Sequence, residues 1–271
     1  KIMEVDENGN ITKLLGIGSK TVYFEGSKGY NNGVYLLNDI CKSRYGNASL
    51  GATARSLTIE DIESRMNATG IAARNANKGY NNNSIQYGTT RKYTGRYTKY
   101  PAIYAQEKYS GVDVSDVTAG SQVIAGEVNA TAQARMNPNG KSGSDDIYTT
   151  LPETSETTGP SKTNLTCTQT YYYMSSPSSY FDDSNFYSMI FGTGTDFWLA
   201  SRYVNCFSND SYATFCLRGV SSSNLLGNIL FFSDGSNSSH NNRLAPVVSL
   251  ESGIQVKSGS GTESDKYIIG K

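Results

Sequence analysis

The residues that could do chemistry are few, and their spacing fits no catalytic or metal site. His240 is the only histidine of the chain, and a Ser–His–Asp triad would need it as a base between a nucleophile and an orienting acid. Transition-metal sites generally use two or more His or Cys ligands. We therefore interpret His240, in the run SNSSHNN, as an exposed loop residue. We predict no catalytic residue, no cofactor and no metal, and folding that is indifferent to chelators.

Two pairs of adjacent acids, Asp145–Asp146 and Asp182–Asp183, are the other candidates for chemistry. The two carboxylates of a glycosidase usually come from separate strands and lie about 5–10 Å apart. Adjacent Asp residues before Ser or Asn more often cap a helix or begin a turn. Neither pair is followed by the alternating oxygen ligands of a calcium loop. We predict that Asp182–Asp183 cap a helix.

The four cysteines, Cys41, Cys167, Cys206 and Cys216, form no CxxC motif and have no metal-ligand spacing. Cys206 and Cys216 are close enough in sequence to bridge, but both lie among residues that look freely chosen. Whether any cysteines pair stays open, and so does the redox compartment.

Composition favours a folded binding protein over a nucleic-acid or membrane protein. The 271 residues carry no net charge and 18% charged residues, fewer than the ~25% of typical domains, and no basic patch that nucleic acid would require. Twenty Tyr against nine Phe and one Trp, together with Ser, Gly and Asn, are typical of adaptable binding surfaces. No run of about 18 apolar residues could span a membrane. Because the chain begins at Lys1, we expect a fragment that has lost a signal or anchor.

The first quarter of the chain predicts a strand pair and a helix. Ile11–Leu15 and Thr21–Phe24 are short β runs separated by glycine turns. Residues 33–45 should form an amphipathic helix that ends at Gly46. The apolar side chains at helical spacing are Leu36, Leu37, Ile40, Cys41 and Tyr45.

A second helix should follow Thr58, with Glu60 and Asp61 in its first turn, where the helix dipole favours acids. Its apolar positions are Ile59, Ile62 and Met66, and Gly70 should end it. Tyrosine-rich loops are expected over 71–100, and a loop-rich insertion over 110–164.

Regular structure should return after the insertion. Leu165–Met174 is β-branched and aromatic, and is expected to be one strand. A short helix should then bury Phe186, Met189 and Ile190, and a turn at Gly192–Gly194 should lead into a strand that begins at Phe197.

Residues 197–250 combine fixed apolar runs with a mixture of Asn, Ser, Asp, Tyr, Phe and Cys that has no strand periodicity. The fixed runs, among them Phe197–Ala200 and Leu244–Val248, should form the core, with Trp198 inside it. Arg202, Arg218 and Arg243 should be structural, satisfying buried carbonyls or a carboxylate. The residues between the runs, called the variable positions here, should be exposed and bind a ligand: Asn205, Cys206, Phe207, Ser208, Asp210, Tyr212, Thr214, Cys216, Gly219, Ser221, Ser223, Phe232, Asp234, Ser236, Ser238, His240 and Asn241.

The pattern FWLASR…CLRGV…LLGN…FFSDG…RLAPVVSL resembles the C-terminal portion of bacterial and phage-associated proteins with a C-type-lectin-like fold, several of which are variable proteins of diversity-generating retroelements. Upstream segments such as GYNNGVYLLNDICKSRYGNASLGATARSLTIEDIESRMN extend the resemblance over most of the chain except 110–164. It implies one α+β domain over 1–271: two helices beside a small twisted antiparallel sheet, the insertion at 110–164, and a variable ligand-binding segment at 197–250.

The resemblance also implies how the variable positions arose. In such systems errors at adenines convert Asn codons to many residues, but not to Lys, Glu, Gln, Met or Trp, and residues 203–243 contain none of these five. The calcium-binding motifs of sugar-binding C-type lectins are absent, so calcium-dependent sugar binding is not carried over. Cys206 and Cys216 lie at variable positions, so the cysteine chemistry of the related formylglycine-generating enzymes is not implied either.

The function implied is non-catalytic recognition, receptor-like or adhesin-like, of a protein or glycan on a cell or phage surface by an extracellular or cell-surface protein. Phe207, Tyr212 and Phe232 would serve as aromatic anchors. The variable positions should share one exposed face above Phe197–Ser201 and Leu244–Leu250, paired as strands. Two alternatives remain open: a fixed bacterial surface or pilus-like structural protein of the same fold, and an enzyme related to the formylglycine-generating enzymes.

Overall fold

The computed structural model describes residues 1–18, 21–77, 90–93, 165–168, 173–206, 213–222, 224–232 and 238–271. They form a mixed α+β fold, as predicted. The predicted insertion at 110–164 lies outside the described residues. The helices are α1 (Gly26–Tyr45), α2 (Ile59–Glu63), α3 (Ala68–Ala76) and α4 (Ser184–Ile190). The strands are β1 (Ile2–Val5), β2 (Ile11–Leu15), β3 (Thr21–Glu25), β4 (Thr53–Ser56), β5 (Thr90–Tyr93), β6 (Leu165–Thr168), β7 (Tyr173–Ser175), β8 (Phe197–Cys206), β9 (Ala213–Ser221), β10 (Asn224–Phe232), β11 (Ser239–Arg243), β12 (Pro246–Ser249), β13 (Gln255–Ser258) and β14 (Ile268–Gly270).

A four-stranded antiparallel sheet has the order β1-β2-β12-β4. Strand β2 has the predicted bounds and buries Ile11 and Leu15. The predicted pairing of β2 with β3 is wrong, because β2 lies between β1 and β12, whereas β3 belongs to another sheet. Alternation identifies a strand, but the partner of that strand is set by packing far along the chain.

The larger sheet has six strands in the order β3-β11-β8-β9-β10-β7. Its pairs are antiparallel except β11 and β8, which are parallel at Arg243 and Phe197. Trp198 is fully buried, as predicted; its indole Nε1 donates to the Val22 carbonyl oxygen at 2.8 Å, and its ring centroid lies 5.3 Å from that of Phe24.

Helix α1 packs on one face of this sheet. It ends at Tyr45, as predicted, but begins at Gly26 rather than near residue 33. The buried Tyr30 ring lies edge-on to Phe215, with centroids 5.3 Å apart. This contact stabilises a first turn whose Gly and Ser residues have low helix propensity. Leu36, Leu37, Ile40 and Cys41 are buried, whereas Tyr45 is exposed.

The predicted second helix is interrupted. Thr58 and Asp61 form a capping box, and Ile59 and Ile62 are buried, but α2 ends at Glu63. The side chain of Asn67 accepts a hydrogen bond from the Gly70 backbone and starts α3. Gly70 therefore lies inside a helix instead of ending one. A Cβ at Gly70 would lie 2.8 Å from Tyr180, so the glycine permits close packing.

A core lies between the two sheets and is closed by α4. Asp183 accepts hydrogen bonds from the backbones of Asn185 and Phe186 and caps α4, as predicted. Phe186, Met189 and Ile190 are buried there, as predicted. The strand expected at Leu165–Met174 is described at its two ends only: β6 pairs with β5 and β7 pairs with β10, and residues 169–172 lie outside the described part.

Leu57 joins the two sheets. Its amide donates to the Ala245 carbonyl oxygen at 2.8 Å, and its carbonyl accepts from the Ala200 amide at 2.8 Å. Beside it the buried Ser201 hydroxyl accepts from the Ile59 amide at 2.9 Å. The prediction that Phe197–Ser201 and Leu244–Leu250 pair as strands is wrong: β8 and β12 lie in different sheets. The pairing of β8 with β9 shifts between Trp198 and Arg202, where Ala200 reaches Leu57.

Candidate binding surface

Three variable positions from three strands form one row across the large sheet. Thr214 of β9 pairs with Asn205 of β8 on one side and with Phe232 of β10 on the other. The row lies where β8 and β10 end and β9 begins, so the chain segments that join these strands start beside it. Phe232 is partly exposed. The register therefore brings together positions that are up to 27 residues apart in sequence.

Three predicted variable positions on β9 are buried, which corrects their expected exposure. Thr214 and Cys216 are 1% and 0% exposed, and Gly219 is buried as well. Strand β9 has neighbours on both edges and is covered on both faces from Thr214 to Val220. A Cβ at Gly219 would lie 2.7 Å from Asn228 Nδ2 and 3.0 Å from the Phe197 carbonyl oxygen. These residues can support a binding surface, but they do not lie on it.

The thiol of Cys216 is free, so it forms no bridge with Cys206. Burial raises the pKa of this thiol to about 12, which keeps it protonated and unreactive at neutral pH. Among the described residues, no three His, Cys, Asp or Glu side chains lie together as metal ligands would.

Ser221 lies at the opposite end of β9 from the row. Seven residues separate it from Thr214, which corresponds to roughly 24 Å along an antiparallel strand. The turn after Ser221 places Ser222 in the left-handed region, with φ of 50°. The structure therefore does not bring Ser221 together with Asn205, Thr214 and Phe232.

His240 belongs to strand β11 and is partly buried opposite the core residue Phe24, which corrects its interpretation as an exposed loop residue. Burial lowers the pKa of His240, and a hydrogen bond with the Ile229 backbone opposes that shift. The Ser238 amide donates to the Leu230 carbonyl oxygen at 2.7 Å, which holds the start of β11 against the end of β10. Asn241, the next residue, is exposed.

Strand β3 adds residues that sequence reasoning missed. Asn241 is paired with Tyr23, and Arg243 is paired with Thr21. Val22 and Phe24 of the same strand are 2% and 0% exposed and therefore face the core. Because successive side chains of a strand point to opposite faces, Thr21 and Tyr23 lie on the outer face of β3. The alternation over 21–24 could have revealed two outward positions, but nothing local in the sequence links them to residues some 220 positions later.

The three arginines of the segment differ. Arg218 is 0% exposed, consistent with the expected structural role. The role expected of Arg243 is not seen among the described residues: its side chain is partly exposed, and its guanidinium makes no hydrogen bond or ion pair with any of them. Its backbone amide donates to the Asp196 carbonyl oxygen at 3.1 Å. The structure describes only the backbone of Arg202.

The side chains of the remaining variable positions are not described. Asn205 and Cys206 are described in their backbone only. Seven others lie outside the described residues: Phe207, Ser208, Asp210, Tyr212, Ser223, Asp234 and Ser236. Two of the three expected aromatic anchors, Phe207 and Tyr212, are among them. In the described part of the chain, no helix is both long and apolar enough to cross a membrane.

Comparison with known proteins finds no matching family model, no matching curated protein and no matching solved structure.

Proposed function

We propose that this chain is a non-catalytic ligand-binding protein, receptor-like or adhesin-like, that recognises a protein or glycan on a cell or phage surface. Its recognition surface would lie where β8 and β10 end and β9 and β11 begin. The observation that carries this proposal is the register of β8, β9 and β10, which aligns the variable positions Asn205 and Phe232 on either side of the buried Thr214, beside the start of β11.

The described residues of this surface suit recognition better than catalysis. Ser238, Ser239 and Asn241 supply neutral hydrogen-bonding groups, and Phe232 supplies an aromatic ring. The only histidine pairs with a core strand and hydrogen-bonds a backbone group instead of a nucleophile. An aromatic residue among Ser and Asn side chains is a common composition for binding hot spots.

The finer proposal is a C-type-lectin-like domain, displayed outside the cell, whose variable positions are diversified by a retroelement. The mixture of residue types within 203–243 supports it, because Lys, Glu, Gln, Met and Trp are all absent there. Strand β10 is compatible with it as well, since the buried framework residues Leu225 and Leu230 are interleaved with partly exposed residues such as Leu226 and Ile229.

Deep sequencing of the gene in a growing population tests diversification. We expect substitutions confined to 203–243, a nearby reverse-transcriptase gene and a near-identical repeat. The matched control is the interval 21–61, which has the same length and should stay constant. Equal substitution in both intervals would instead favour a fixed surface or pilus-like protein.

Cell binding tests recognition independently. Flow cytometry with the labelled protein on a panel of bacterial cells should reveal at least one strain that is bound. The double variant Ser239→Glu/Asn241→Glu alters two exposed side chains of β11 and should abolish that binding. The control Lys42→Glu/Ser43→Glu changes two exposed side chains of α1 and should not. Equal loss in both variants would contradict the proposed location.

A further inference from the structure

The outer face of the β3–β11 pair carries a small polar surface made by Thr21, Tyr23, Asn241 and Arg243. Register places Tyr23 opposite Asn241 and Thr21 opposite Arg243. Paired residues of an antiparallel ladder lie about 4.5–5.5 Å apart, and alternate residues along one strand lie about 7 Å apart. All four side chains are at least partly exposed. They therefore form one compact cluster, which we call the β3–β11 face.

The charge of this face comes from Arg243. Its guanidinium is not engaged by any described residue, although guanidinium groups in folded proteins commonly pair with carboxylates in a bidentate manner. Asp196 contacts Arg243 through its backbone carbonyl and forms no ion pair with it. Glu25, at the other end of β3, is four residues from Thr21, or roughly 13 Å along the strand. With respect to the described residues, the face thus offers a cation without a carboxylate partner, which an anionic group could bind.

The neighbours of Arg243 narrow the kind of anion. Tyr23 presents an aromatic ring with a hydroxyl, Asn241 an amide that both donates and accepts, and Thr21 a hydroxyl. A ligand could use all four side chains if its ring stacked on Tyr23, its hydroxyl groups formed hydrogen bonds with Asn241 and Thr21, and its carboxylate paired with Arg243. Nucleic acid and other polyphosphates would require clustered Lys and Arg, whereas the described residues of this face supply one arginine.

We propose that the β3–β11 face is a fixed anchoring subsite for a carboxylate-bearing sugar, such as a uronic-acid unit of a surface polysaccharide. Four residues are far short of the about 800 Å² that each partner of a stable protein complex buries, but they match the size of one or two sugar rings. The subsite rests on the proposed function, because Asn241 belongs to both surfaces. Tyr23 and Thr21 lie outside the variable segment, so the anchor would persist while the neighbouring positions change.

Titration of the full chain with an oligogalacturonate trimer, followed by calorimetry, tests the subsite. The neutral galactose trimer should bind at least tenfold more weakly. Arg243→Gln should weaken oligogalacturonate binding at least tenfold, and Arg243→Lys less, because it keeps the charge and loses the bidentate geometry. Tyr23→Ala should weaken binding severalfold. The control Lys257→Gln removes one positive charge from exposed strand β13 and should leave affinity unchanged.

Melting temperatures of all variants separate loss of binding from loss of fold. Affinity should also fall as salt rises, because the anchor is an exposed charge. Equal binding of the neutral trimer, or wild-type affinity in Arg243→Gln, would overturn the subsite. Cell binding that survives Arg243→Gln but is lost in Ser239→Glu/Asn241→Glu would refute the acidic-sugar anchor and leave the proposed function standing. Cell binding lost in neither variant would refute both.

Discussion

The two ends of the β9–β10 pair have similar residue types but different surroundings. At one end, Val220 and Leu225 are buried in the same hydrophobic cluster as Phe186 and Ile190, and β9 ends at Ser221, followed by Ser222 in a turn. At the other end, Thr214 and Phe232 lie in a row with Asn205, beside the start of β11. Ser and Asn occur at both ends, but only the second gathers variable positions from several strands.

This difference shows that irregular polar sequence does not by itself mark a binding surface. Ser221 and Ser222 lie where β9 ends, and Ser222 has φ of 50°, whereas the residues at the other end are aligned by the register of three strands. Buried positions such as Cys216 lie between the two ends, within the same irregular stretch. The contrast can be tested by comparing how substitutions of buried residues and of exposed residues change the free energy of unfolding.

The largest expected effect is at Trp198. Trp198→Ala removes a fully buried ring that contacts Phe24 and hydrogen-bonds Val22, so it should lower the free energy of unfolding by about 3–5 kcal/mol. Asn241→Ala changes an exposed strand residue and should stay within about 0.5 kcal/mol. Urea unfolding measures both, and equal midpoints would contradict the division into framework and surface.

Gly219→Ala should have the next largest effect, because the added methyl group would meet Asn228 Nδ2 and the Phe197 carbonyl. Overpacking of this kind costs about 1–3 kcal/mol. The control is Gly270→Ala in β14, where the nearest atom, Lys257 Cγ, would be 3.8 Å away. Urea midpoints should shift for the first variant only; an unchanged Gly219→Ala protein would mean that this variable position is exposed after all.

The pH dependence of stability should report His240. Burial lowers its pKa below the usual 6.5, so the unfolded chain binds the proton more tightly than the folded one. Stability is therefore full above about pH 6.5 and falls as pH drops below it. The pKa of Asp61 is also lowered from 3.8, held down by Arg55, so its contribution is lost only in stronger acid. Between pH 7.5 and 5.5 the melting temperature of wild type should fall more than that of His240→Asn; parallel curves would show that His240 is solvated.

The smallest expected effect is a gain at the tight turn. Ser222 has φ of 50°, a conformation that glycine adopts without steric penalty. Ser222→Gly should therefore raise the free energy of unfolding, by up to about 1 kcal/mol. Ser239→Gly, within strand β11, should lower it instead. The denaturant midpoints of the two variants measure both changes. A loss of stability in Ser222→Gly would mean that the serine side chain stabilises the turn.

Features set by a few neighbouring residues were predictable from the sequence. The bounds of β2, the end of α1 at Tyr45, the Asp183 cap and the burial of Trp198 each follow from local periodicity or capping chemistry. The sheet to which each strand belongs was not predictable, since β2 and β3 have the same alternation and different partners. The break after Glu63 depends on Asn67, whose backbone amide donates to the carbonyl oxygen of Tyr180, more than a hundred residues later.

The candidate surface was predictable in part for the same reason. Residue types pointed to the segment that includes Asn205, Phe232 and Asn241, and register brings the first two into one row. Nothing in the sequence distinguished the buried Cys216 from an exposed variable position such as Asn241, because a strand that is covered on both faces shows no alternation. Tyr23 and Thr21 could not be found either, since their link to the segment exists only through the β3–β11 pairing.

The two hydrogen bonds of Leu57 have a consequence for chain length. They hold Ala200 and Ala245 on either side of Leu57. The two ends of the stretch 200–245 are therefore fixed independently of the residues between them. Each doubling of a flexible connection adds only about 0.6 kcal/mol of closure entropy. Insertions between the strands of this stretch would therefore leave both anchors in place, and the segment could vary in length as well as in sequence.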